Sequence, residues 1–162
     1  MIKLTEEIII NSKQHVIWSL ITDFPKSFSC NRFHINLELP INYSLGKIKK
    51  FNIIHNFGFG NYKMVAEIID FIPPSSLIIS KYCQENKKRG FPHTIEFHIE
   101  QYMGKSKVYY TVKGTYGGKV QDLSFKPILK GVMIDELRKI KKTVESSEKN
   151  TTTVSMNTIK SI

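Results

Sequence analysis

Cysteine is almost absent. Cys30 and Cys83 are the only two, too few for a disulfide framework and without the paired spacing of a zinc site. Lone thiols of this kind suit a reducing compartment, where each behaves as a small buried hydrophobe. Long apolar runs are also missing, since none approaches the roughly 20 residues of a membrane helix. The opening segment MIKLTEEIII carries Glu6 and Glu7 where a secretory signal would hold its apolar run and cleavage site. The expectation is a cytoplasmic protein. Its 162 residues favour one domain, with a boundary expected at residue 148 and a polar, disordered tail over 149–162.

Acidic residues are scarce as well. Fourteen face 24 lysines and arginines, for a net charge of +10. Such an excess can serve nucleic acid, an anionic membrane or solubility alone. Here it falls in three groups, at Lys47, Lys49 and Lys50, at Lys87, Lys88 and Arg89, and at Arg138, Lys139, Lys141 and Lys142. They sit at turns or on the wet side of a helix, without the interleaved aromatics that stack bases. Solvated faces are the simpler reading, and an anionic partner is the further alternative.

Metal and cofactor signals are lacking. His93 and His98 are five apart in a strand and point to opposite faces. His34 shares its parity with Asn36 and Glu38, which reads as solvent. The segment GFGNYK has neither the glycine spacing nor the following helix of a phosphate loop. No serine occupies a nucleophile elbow. No metal, cofactor or catalytic residue is therefore assigned.

The chain does carry a clear change of period. Asn11 followed by Gln14 resembles a capping box, and Val16, Ile17, Leu20, Ile21 and Phe24 then recur at helical spacing over 12–23. Pro25 ends that helix, and a short helical turn over 25–31 follows. From Phe33 the period is two, with Phe33, Ile35, Leu37 and Leu39 alternating against polar residues. Further strands are expected over 46–56, 61–71, 76–84, 91–102 and 106–116. Pro73-Pro74 separates two of them, because neither proline can donate to a sheet ladder. A long helix over 123–147 then presents Phe125, Ile128, Leu129, Val132, Met133, Leu137, Ile140 and Val144 on one face. Pro127 requires its first turn to lie there. The clean alternation implies an antiparallel sheet with one wet face. One helix cannot cover the inner face of seven curved strands, so a gap that could hold a small molecule is expected.

Three segments carry a resemblance. They are IIINSKQHVIWSLITDF at 8–24, VAEIIDFIPPSSLI at 65–78 and LKGVMIDELRKIKKTVE at 129–145. In order and spacing, over about residues 2–148, they resemble the START-like helix-grip superfamily, also called SRPBCC. It includes polyketide cyclases, lipid-transfer domains and the birch-pollen allergen type. The resemblance implies an α+β fold in which a seven-stranded curved sheet grips the C-terminal helix around an apolar cavity. The fold alone does not fix function.

Alternation places His55, His93, Tyr110 and Tyr116 inward, where polar groups could orient a ligand or act as acid and base. Leu129, Met133 and Leu137 form a stripe expected to face Tyr62, Met64, Phe97 and Tyr110 across the cavity. The first expectation is a binding or carrier protein for an apolar or amphipathic molecule, lipid-like or polycyclic. The alternative is a cyclase- or dehydratase-type enzyme using cavity histidines and tyrosines.

Overall fold

The computed structural model describes residues 1–44, 46–58 and 60–159, with side chains to Glu148. The elements in chain order are β1 (Ile2–Ile10), α1 (Gln14–Thr22), α2 (Phe24–Phe28), β2 (His34–Glu38), β3 (Lys50–Asn56), β4 (Asn61–Ile72), β5 (Ser76–Cys83), β6 (His93–Tyr102), β7 (Lys105–Gly114) and α3 (Lys119–Ile159). Seven strands form one antiparallel sheet in the order β1-β7-β6-β5-β4-β3-β2. This is the α+β helix-grip arrangement implied by the three motifs. The period-two pattern sorts the side chains. On β5, for example, Leu77, Ile79, Lys81 and Cys83 are buried while the residues between them are half-buried. The helix face Phe125, Leu129, Met133, Leu137, Ile140 and Val144 is buried with Leu77 and Ile79 in one core, and Val132 is buried as well.

Several local expectations are corrected. The capping box does not form. Lys13 is the N-cap residue of α1 and makes no side-chain cap bond. Asn11 N–H instead donates to Glu145 Oε1 at 2.9 Å, and Gln14 Nε2 donates to the Ile99 carbonyl at 2.7 Å. Both residues tie the start of α1 to other elements, so tertiary bonds replace the local motif. Asp23 does cap a turn, accepting from Lys26 N–H at 3.3 Å at the start of α2.

Helix α3 starts earlier than the periodicity suggests, at Lys119, which puts Pro127 inside it. The carbonyl that Pro127 leaves free belongs to Leu123, an exposed residue, so water can satisfy it. Its first turn is anchored by Asp122, which accepts from Tyr116 N–H at 2.6 Å and pairs with the N-terminal amine of Met1 at 2.6 Å. Ile128, expected on the buried face, is 50 % exposed. Helical backbone also continues through 149–159, where the sequence reading places the disordered tail. Extending an existing helix costs little per residue, and no proline or glycine interrupts it there. Residues 160–162 of that tail lie outside the described residues.

No helix among the described residues is long and apolar enough to cross a membrane. Part of the basic surface is paired locally: Arg89 with Glu85 at 3.9 Å, Lys139 with Asp135 at 3.3 Å and Lys141 with Glu145 at 3.8 Å.

Candidate functional site

A cavity of about 40 Å³ lies between the sheet and α3. Ile21, Phe24, Ser27 and Phe28 close it from α1 and α2. The sheet contributes His34 and Leu37 from β2, Phe51 and Ile53 from β3, Leu77, Ile79 and Lys81 from β5, and Ile95 and Phe97 from β6. Glu136 and Ile140 complete it from α3. The walls are apolar except for Ser27, His34, Lys81 and Glu136. Ser27, Phe28, His34 and Leu37 are half-buried and form the rim, while the remaining lining residues are buried.

Lys81 is 4 % exposed and Glu136 is 5 % exposed, which is unusual for such groups. Lys81 Nζ lies 3.2 Å from His34 Nε2. His34 Nδ1 lies 3.0 Å from the Phe28 carbonyl oxygen. That oxygen can only accept, so Nδ1 carries the imidazole proton and the bare Nε2 accepts from the lysine. Among the described residues no carboxylate oxygen comes within 4.0 Å of Nζ. Burial pulls the Lys81 ammonium down to about 8, against a weaker upward pull from Glu136. Opposite it, Glu136 accepts from Asn31 Nδ2 at 2.7 Å, and the Tyr110 hydroxyl lies beside the same carboxylate. Burial raises its carboxyl above the usual range, and Lys81, Tyr110 and Asn31 hold it partly back. The same burial, with the adjacent Glu136 charge, pushes the Tyr110 phenol well up.

Three neutral imidazoles line up beside Lys81. Ring centroids are 4.6 Å apart for His34 and His55, and 5.9 Å for His55 and His93. Burial and then the nearby Lys81 charge keep His34 and His55 well below the normal imidazole range and take His93 to about 3. His93 Nδ1 donates to the Phe91 carbonyl at 2.6 Å. Both ring nitrogens of His55 are buried without a protein partner. His55→Leu, close in volume, removes those unpaired groups. It is expected to leave stability unchanged or to raise it by about 1 kcal/mol in urea unfolding, and a loss beyond about 2 kcal/mol would contradict this.

The ten residues expected from the sequence fall in three places. Phe97 lines the cavity, and Tyr110 stacks on it at 4.4 Å while reaching Glu136. Met64, Leu129, Met133 and Leu137 are buried in the packed core away from the cavity lining. His55, His93 and Tyr116 belong to an aromatic cluster around Phe57, Phe91 and Phe125. Tyr62 borders that cluster and, with Tyr116, Lys88 and Gly90, lines an open surface recess.

Lys81, Glu136 and His34 are absent from the sequence-based set. Lys81 and Glu136 had a readable signal, each being a charge in phase with an apolar face. His34 was read as a solvent residue, and this is corrected. The β2–β3 register shifts between His34 and Asn36, so strict alternation fails, His34 turns inward and Ile35 is 55 % exposed. Among the described residues no cluster of three or more His, Cys, Asp or Glu could hold a metal.

No family model and no curated protein matches the chain. Solved structures do match. A conserved protein from Geobacillus kaustophilus superposes with a TM-score of 0.69 at 19 % identity, over 90 % of this chain and 97 % of the other. A START superfamily protein from Mycobacterium smegmatis gives 0.67 at 14 % identity, over 89 % and 97 %. The di-domain ARO/CYC StfQ of the steffimycin biosynthetic pathway gives 0.67 at 10 % identity, over 90 % of this chain and 51 % of that one. At these identities the likeness concerns the fold.

Proposed function

We propose that this chain, which has the START-like helix-grip fold, binds a mainly apolar small molecule in the cavity between sheet and α3. One observation carries the reading. An apolar cavity in the protein interior has a buried lysine on one wall and a buried glutamate on another, and neither is spent on a direct ion pair. Burying such charges costs several kcal/mol per ion, so an apolar filling would serve stability better. Their retention is explained if they orient a bound molecule. Two fold neighbours, the START superfamily protein and the di-domain ARO/CYC StfQ of the steffimycin biosynthetic pathway, support the same class of role.

At about 40 Å³ the cavity holds little more than water, whereas small-molecule sites usually reach roughly 300 Å³ or more. Binding therefore requires the wall to open. The α2–β2 rim is where opening costs least. Strand β2 is a five-residue edge strand with an interrupted register, hydrogen-bonded on one side only. Phe28 and Leu37 move with it.

The test is native mass spectrometry. Protein purified from its own host, or incubated with a total lipid extract and repurified, should carry one apolar molecule per chain. A bare mass from both preparations would overturn the reading.

A further inference from the structure

We propose that the cavity selects an apolar alcohol or phenol, whose single hydroxyl bridges Lys81 and Glu136. This rests on the cavity reading above and names the chemistry of its ligand. Lys81 comes from β5 and Glu136 from α3, and both line the same cavity without forming an ion pair. The ammonium has three N–H groups. One is directed to the bare Nε2 of His34, so two remain for the interior. The carboxylate accepts from Asn31 and keeps acceptor capacity toward the cavity.

Charge and donor counting then separate the ligand classes. A carboxylate would satisfy Lys81 but would set two anions against one cation in an apolar site. An ammonium group would create the reverse excess. His34, His55 and His93 are held neutral by burial and supply no second cation. A ketone would accept from Lys81 and leave Glu136 unanswered, and a hydrocarbon would answer neither. A hydroxyl accepts from Lys81, donates to Glu136 and adds no charge. Unmet buried polar groups are what make such discrimination large.

Four probes of one shape test this by fluorescence titration at pH 7: naphthalene, 2-naphthol, 2-naphthoate and 2-naphthylmethylamine. The wild-type protein should bind 2-naphthol at least tenfold more tightly than each of the others. Lys81→Met, which leaves only the Glu136 contact, should weaken 2-naphthol relative to wild type and narrow its margin over naphthalene. Glu136→Gln, which still accepts from Asn31, should tighten 2-naphthoate at least tenfold because Lys81 then faces it alone. If naphthalene and 2-naphthol bind the wild type equally, the hydroxyl assignment is overturned and the cavity reading stands. The same holds if Glu136→Gln gains nothing for 2-naphthoate. If none of the four binds, the cavity reading falls and this inference with it. The wild-type ranking decides the matter even where a variant fails to fold.

Discussion

The double substitution Lys81→Met, Glu136→Gln is expected to make the empty protein more stable, by about 1 to 4 kcal/mol, while removing its preference among ligand head groups. Both charges are buried, and neither regains its hydration through a contact ion pair. Methionine follows the lysine stem with no charge to desolvate. Glutamine keeps an oxygen for Asn31, so that donor is not orphaned. His34 loses the Lys81 donor at Nε2 and keeps its bond to the Phe28 carbonyl. The pH dependence gives the sign an independent check. Lys81 falls from an ordinary 10.5 to about 8 in the folded protein. Below pH 8 folded and unfolded chains both hold that proton, and the cost of burial is present in full. Between about pH 8 and 10.5 the unfolded chain binds more protons than the folded one, so wild-type stability recovers relative to the variant as pH rises. Urea unfolding at pH 7 and pH 10 measures both effects. A variant less stable than wild type at pH 7, or an advantage that grows toward pH 10, would mean that the pair is a net structural asset.

Met133→Trp is expected to destabilise the protein by about 1 to 3 kcal/mol or more. The stripe Leu129, Met133 and Leu137, at four-residue intervals, suggests a cavity wall when read in sequence. Met133 is instead 0 % exposed and packed, and the cavity meets α3 further on, at Glu136 and Ile140. An indole at Met133 therefore enters filled space. Ile79→Phe is the opposite case, because Ile79 lines the cavity directly and the larger ring can occupy free volume. Thermal unfolding of the two variants side by side should show a clear loss for Met133→Trp and a small change for Ile79→Phe. Equal losses would mean that the free volume is too small or too rigid to accept a ring.

Most of the fold was legible because its signals are local and redundant. Alternation over residues 61–72 and 93–114, the proline turn at Pro73-Pro74 and the long apolar face of α3 each specify an element without tertiary information. The features missed depend on partners distant in sequence. Asn11 reads as a cap until Glu145, 134 residues away, takes its N–H. His34 reads as solvent because one shifted register position between β2 and β3 cannot be seen in either strand alone. The candidate site was only partly legible for a different reason. Histidine and tyrosine on inward faces read as polar groups of a pocket, and Tyr110 does lie beside the cavity. Lys81 and Glu136 were passed over, since a charge is normally expected in water. A charge in phase with Leu77, Ile79 and Cys83, or with Val132, Met133 and Ile140, is the stronger signal in retrospect.

Binding in the space between sheet and α3 has a direct test. Titration of 2-naphthol into the wild type and Ile79→Phe, with thermal unfolding of both, tests it most directly. One-to-one binding to the wild type is expected, with at least tenfold weaker binding to Ile79→Phe, about 1.4 kcal/mol, at nearly unchanged stability. Equal affinity for the two proteins, with both folded, would contradict it.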